Sequence, residues 1–214
     1  MFKMKEPVNT MTHFIGALLS AGALGWMTYK GVVHGNGLQI AAAIVFGISL
    51  IALYTASTVY HWASGSEKLK AILRRIDHSM IYVLIAGTYT PVCLITLKGT
   101  LGWILFGVVW SLAALGIIMK LVWFNAPRWL YTAFYLILGW LAIFFIVPIY
   151  RSLPSAGFAW LLAGGLLYTI GAIIYGTKSK KLKISVFGFH EIFHLFILAG
   201  SFAHYMMVSR YLLI

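Results

Sequence analysis

Seven apolar stretches, at roughly 12–30, 39–62, 77–97, 101–120, 129–150, 157–176 and 187–208, occupy most of this chain. Each is close to the ~20 residues that an α-helix needs to cross a bilayer, and about twice the length of a barrel strand. Backbone N–H and C=O groups find no water in hydrocarbon, so only helices or closed barrels satisfy them there. Continuous runs of this length therefore predict helices. The interruptions carry turn chemistry: Gly35-Asn36-Gly37, Ser64-Gly65-Ser66, Lys98-Gly99, Asn125-Ala126-Pro127 and Ser152-Leu153-Pro154. Composition closes off a soluble fold. Only 9% of the 214 residues are charged and 62% are hydrophobic, where a soluble domain carries about 25% charged residues. The expected fold is an all-α membrane protein, a seven-transmembrane-helix bundle, with residues 1–214 forming a single domain.

Sixteen Lys and Arg stand against four acids, for a formal net charge of +12. The bases lie in short clusters between apolar runs, with no aromatic-interleaved basic stripe, so no nucleic-acid partner is expected. Twelve of them fall on one side of an alternating bundle: Lys3, Lys5, Lys68, Lys70, Arg74, Arg75, Lys120, Arg128, Lys178, Lys180, Lys181 and Lys183. Lys30, Lys98, Arg151 and Arg210 fall on the other. The positive-inside rule then predicts a cytoplasmic N-terminus and an external C-terminus. The first run, interrupted by Glu6, Asn9 and His13 at its start, lacks the shape of a signal peptide and reads as a retained helix. Cys93 is the single cysteine, so no internal disulfide is possible.

All four acids, Glu6, Glu67, Asp77 and Glu191, fall at the cytoplasmic end of this topology. Ionisable groups at membrane depth are expensive and usually face a bundle interior. The strongest local signal there is His190-Glu191-Ile192-Phe193-His194. Residues i and i+4 share one helix face about 6 Å apart along the axis, so two imidazoles can meet one zinc ion, with the glutamate as general base in the HExxH pattern. Zinc needs at least one more protein ligand. No acid follows His194, and His204 lies about 15 Å further along the axis. Two candidates sit at the same level on other runs: His61, which ends the second, and Asp77, which begins the third. Ser57 is one turn deeper than His61 on the same face, suited to hydrogen-bond a water or ligand. Glu191 and His13 are candidates for the surrounding shell. His78 points about 100° away from Asp77 and reads as structural. His34 and His204 fall on the other side.

These blocks resemble one known family. Glu6-x-x-Asn9-x-x-Thr12-His13-x-x-Gly16, Ser57-x-x-x-His61, Asp77-His78-Ser79, Ala86-Gly87-Thr88-Tyr89-Thr90-Pro91 and His190-x-x-x-His194 resemble the hemolysin III proteins. Those are the bacterial branch of the progestin and adipoQ receptor (PAQR) family. The resemblance implies a seven-helix bundle with the N-terminus inside, in the bacterial inner (plasma) membrane. It implies zinc held by His61, His190 and His194, a water on that zinc held by Asp77, and Ser57 nearby. Adiponectin receptors of the family are linked to ceramide hydrolysis, and bacterial members to haemolysis and lipid homeostasis. Position 191 is Glu here, where many receptor members carry a neutral residue.

Three readings follow. The first is a zinc-dependent hydrolase of lipid amides or esters with a membrane lipid as substrate, Asp77 as general base and Ser57 as an added donor. The second is a non-enzymatic membrane sensor or effector, or a cytolytic protein, in which zinc ties helices two, three and seven together. The third is an intramembrane zinc protease with His190, His194 and Asp77 as ligands and Glu191 as base.

Overall fold

The computed structural model of the protein describes residues 4–123, 125–178 and 187–214. Seven long helices alternate in direction: α1 (Pro7–His34), α2 (Gly37–Trp62), α3 (Glu67–Leu97), α4 (Gly99–Val122), α5 (Arg128–Ser152), α6 (Ser155–Thr177) and α7 (Phe189–Leu212). Six of them, α2 to α7, are long and apolar enough to cross a membrane. The 28-residue α1 is long enough but falls short in apolarity. Its first turns carry Asn9, Thr10, Thr12 and His13. It hides that face: Asn9, Thr10 and His13 are buried, while Phe14, Ile15, Leu18 and Leu19 are exposed on the outside of the bundle.

Local signals start the helices where the breaks suggest. Asn36 caps α2, its side-chain oxygen accepting from the backbone N–H groups of Leu38 and Gln39, while Gln39 Oε1 accepts from the Asn36 N–H. Ser66 Oγ accepts from the Leu69 N–H at the start of α3. That start is ten residues ahead of the apolar run. The segment Glu67–Ile76 is too charged to read as a membrane run, yet it forms the first turns of a 31-residue helix. At 1.5 Å per residue, α3 is about 46 Å long and outreaches a ~30 Å hydrocarbon core. Asp77 is therefore three turns inside α3, not at its beginning.

Two helices change pitch at identifiable causes. Pro91 has no N–H to give, and α3 loosens into a π-helical stretch at Val92–Leu97 that ends at Lys98 (φ 52) and Gly99 (φ 55). In α5 the stretch Leu141–Phe145 is 3₁₀-helical. There the Tyr89 hydroxyl of α3 inserts into the ladder, donating to the Gly139 carbonyl (2.6 Å) and accepting from the Ala142 N–H (2.8 Å).

The helices differ in how enclosed they are. In α3, 67% of the most apolar stretch is buried inside the bundle, followed by α2 and α7, against 22% in α5. The core around α1, α2 and α7 holds Met27, Phe46, Leu50, Tyr54 and Met207. At Gly16 a Cβ would lie 2.8 Å from both Leu198 and the Tyr54 ring. Absence of that carbon lets α1 settle between α2 and α7, which sets the N-terminal turn of α1 beside the last turn of α2 and the first of α7.

Candidate metal centre

The end of the bundle at which α1 starts collects the polar side chains. His61 lies in the last turn of α2, and His190 and His194 lie in the first turns of α7. One ring nitrogen from each falls within 4.8 Å of the others. His61 Nε2 is 3.4 Å from His190 Nε2, and the three rings lie 4.8–5.0 Å apart by centroid. His61 and His194 are buried and His190 half-buried.

The first turns of α1 and the residue before them supply contacts to the remaining nitrogens of His61 and His194. His61 Nδ1 lies 2.7 Å from Glu6 Oε2. A carboxylate accepts only, so Nδ1 carries the proton of that hydrogen bond and Nε2 is the nitrogen that faces His190. The hydrogen bond from His61 holds the Glu6 carboxyl down to about 2. The Asn9 side-chain amide donates to Glu6 Oε2 and to Glu191 Oε1, both at 3.1 Å. Thr12 Oγ1 is 3.4 Å from His194 Nδ1. The His13 ring stacks on that of His194 at 3.6 Å and 10°. Glu6, Asn9 and His13 follow the i, i+3, i+7 spacing of one helix face, and that face wraps the cluster.

Asp77 and Ser57 approach from α3 and α2. Ser57 stands beside the Asp77 carboxylate. Asp77 is only 8% exposed and Ser57 2%. His78 is turned from the cluster. Its Nε2 is 4.0 Å from Asp77 Oδ2 and 3.2 Å from the Tyr175 hydroxyl.

The structure changes the place of Glu191. Its Oε2 accepts from the Gly188 N–H at 2.9 Å and its Oε1 from Asn9. It caps α7 and is not one of the three grouped donors. The residue after a histidine on a helix points about 100° away from it, so the HExxH spacing alone does not turn the glutamate onto the cluster. The local reading of the motif passed over Glu6 as a partner of His61. The signal available was the spacing from Glu6 through Asn9 to His13 on the first helix.

A cavity of about 370 Å³ opens from this cluster into the bundle. Its polar head is formed by His13, Ser57, Asp77, His78, His190 and His194. The rest of its wall is mostly apolar and comes largely from α3, α5, α6 and α7. Lys120 and Arg128 stand near the head: Lys120 Nζ lies 3.6 Å from the Tyr131 ring centre, and the Arg128 guanidinium 4.5 Å from that of Tyr175.

The sequence profile of the haemolysin-III-related family matches residues 2–205. The chain belongs to that family. This haemolysin-III-related protein is 45% identical over 212 residues to the hemolysin-3 homolog of Bacillus subtilis, covering 99% of this chain and 96% of that one. It is 42% identical to hemolysin-3 of Bacillus cereus, over 99% and 94% of the two chains. More distantly, it is 26% identical to the adiponectin receptor protein of Drosophila melanogaster, over 96% of this chain and 50% of the fly protein. With its six long apolar helices, the family protein is a multi-pass membrane protein.

Proposed function

We propose that this protein is a zinc-dependent hydrolase of lipid amide or ester bonds, working in the bacterial plasma membrane with its seven helices spanning and its metal centre on the cytoplasmic side. Its role would be in membrane lipid homeostasis. The observation that carries this reading is three imidazoles and a buried carboxylate gathered at the head of an apolar cavity. The orientation rests on charge. Among the described residues, Lys5, Lys68, Lys70, Arg74, Arg75, Lys120, Arg128 and Lys178 share the end that holds the cluster. Lys3, Lys180, Lys181 and Lys183 lie outside the described residues.

The donor set fits zinc. Three imidazoles with grouped nitrogens, one fixed in its tautomer by Glu6, are a ligand set that leaves a position open for catalysis. Held by His61, His190 and His194, the metal would supply Lewis acidity toward a water and a carbonyl. The chain's own groups do the rest. Asp77, with Ser57 beside it, accepts the proton of the attacking water and returns it to the leaving amine or alcohol. Water adds to the carbonyl carbon, the C–N or C–O bond breaks, and a fatty acid and an amine or alcohol remain. The apolar wall takes the acyl chain and keeps out bulk water. Lys120 and Arg128 favour an anionic headgroup at the mouth.

The test is metal content and lipid turnover of purified protein, wild type beside His61→Ala and Asp77→Asn. The reading expects zinc lost with His61 and kept with Asn at 77, with ceramide or other lipid-amide products formed by the wild type alone. A second reading, a sensor with structural zinc, is favoured by the receptor name of the fly relative. It expects metal removal to lower thermal stability, with no lipid product from any substrate.

A further inference from the structure

Deep in the cavity, at the opposite end from the metal cluster, α6 and α7 are cut to receive one another's aromatic rings. A Cβ at Gly164 of α6 would collide with the His204 ring of α7. A Cβ at Gly200 of α7 would collide with the Tyr168 ring of α6. The two notches share one spacing, Gly164-x-x-x-Tyr168 and Gly200-x-x-x-His204. They set the two rings 5.3 Å apart by centroid. His204 is therefore a seated position rather than an incidental one.

The hydroxyls beside it are satisfied among themselves. The Tyr54 hydroxyl donates to Ser201 Oγ at 2.7 Å, and Ser201 shares a 2.8 Å hydrogen bond with Tyr168. Thr88, beside Tyr168, donates to the Leu84 carbonyl at 2.8 Å. The imidazole is the exception. His204 is 4% exposed, lines the cavity, and its Nδ1 has no hydrogen-bond partner. A buried polar group left unpaired bears its full desolvation cost. Nδ1 is sealed within the packing and the ring itself lines the cavity, so a hydroxyl arriving there meets the imidazole ring.

We propose that His204 forms a second polar subsite of this cavity, which accepts the hydroxyl of a hydroxylated acyl chain whose carbonyl or carboxylate head lies at the metal cluster. The proposal rests on the lipid-hydrolase reading for the head of the ligand. His204 stands ten residues beyond His194 on the same helix, about 15 Å along its axis. That is the reach of an extended medium-length acyl chain, so the subsite selects both the presence of a hydroxyl and its distance from the head.

The experiment compares dodecanoic acid with its ω-hydroxy derivative on zinc-loaded protein in phosphatidylcholine nanodiscs, by competition against a fluorescent fatty acid. Wild type should prefer the hydroxy acid about three- to tenfold, as one hydrogen bond provides. His204→Leu should erase the preference and keep affinity for the plain acid and the zinc content. Reading the preference as a ratio between the two proteins cancels the difference in membrane partitioning. His204→Gln, which retains a donor and an acceptor, should keep part of it. Gly164→Ala, which displaces the ring without changing its chemistry, should weaken it and covers the case in which His204→Leu does not fold. Equal binding of both acids by wild type, or a preference that survives in His204→Leu, overturns the proposal. So does failure of either acid to bind zinc-loaded protein. Selective binding with no lipid turnover would instead remove the hydrolase and leave the subsite standing.

Discussion

Helices α2, α3 and α7 are the most enclosed of the six apolar spans, and α4, α5 and α6 the least. Ser57, His61, Asp77, His190 and His194 all belong to the first group. The second group contributes no acid among its described residues. It supplies the outward apolar surface, including Val122, Ile137 and Phe144, and much of the cavity wall. The contrast shows what burial in lipid permits. A buried ionisable group is tolerated where protein surrounds it and offers a partner, as Glu6 does for His61. Helices that face lipid on most of their circumference have no such shelter. The enclosed helices should therefore carry the chemistry, and the peripheral ones much of the apolar wall that meets the ligand's chain.

The sharpest way to break that division is to remove a ligand. His61→Ala, His190→Ala or His194→Ala should each abolish stoichiometric zinc binding, read by metal analysis of purified protein. Retention of full zinc in any of them would dissolve the three-histidine centre. Next, Asp77→Asn should keep the metal and lower lipid turnover by about 10²–10⁴-fold, the usual contribution of a positioned general base. Turnover at the wild-type rate would remove the role assigned to Asp77.

Glu6→Gln tests the shell rather than the ligands. The outer-shell carboxylate on a metal-binding histidine is typically worth about 10–100-fold in metal affinity or activity, so zinc competition assays should show a loss in that range with the fold intact. On the peripheral side, Ala172→Leu narrows the wall of the cavity on α6. It should raise the KM for a long-chain substrate severalfold and leave zinc content unchanged. A loss of metal in that variant would show the two groups of helices to be less separable than their burial suggests. The smallest effect is expected from Glu191→Gln, because glutamine can still cap α7. Its thermal stability should fall by no more than about 1 kcal/mol, with zinc retained. Complete loss of activity there, with His61→Ala keeping its metal, would revive the protease reading.

Much of the architecture is legible along the chain because hydrocarbon leaves so few options for a backbone. The apolar runs for α2, α4, α5, α6 and α7 lie within a few residues of the observed helices. The exceptions are α1, which runs beyond its apolar stretch at both ends, and α3, whose charged opening Glu67–Ile76 does not look like a membrane run. Ser66 nonetheless caps α3, and its helical spacing continues without a break into the apolar part. The three grouped histidines are legible as well. The spacing of His190 and His194 puts both on one helical face, and alternating helices bring His61 to the same level.

What could not be read from order alone are the relations between helices. Nothing local to Glu6 says that its carboxylate meets an imidazole fifty-five residues away. Nothing local to Glu191 says that it turns back to its own helix terminus instead of toward the histidine cluster. His204, set aside as lying on the far side, lines the same cavity as the cluster because the cavity runs along α7 rather than staying at one end. Helix number, length and the end that gathers charge follow from one-dimensional patterns, since each helix must satisfy its own backbone in lipid. Which ring nitrogen has a partner, and which buried group is left without one, depends on rotation and close approach between helices, set by gaps such as Gly16, Gly164 and Gly200. Packing of that kind is a property of pairs of surfaces and exists only once the chain has folded.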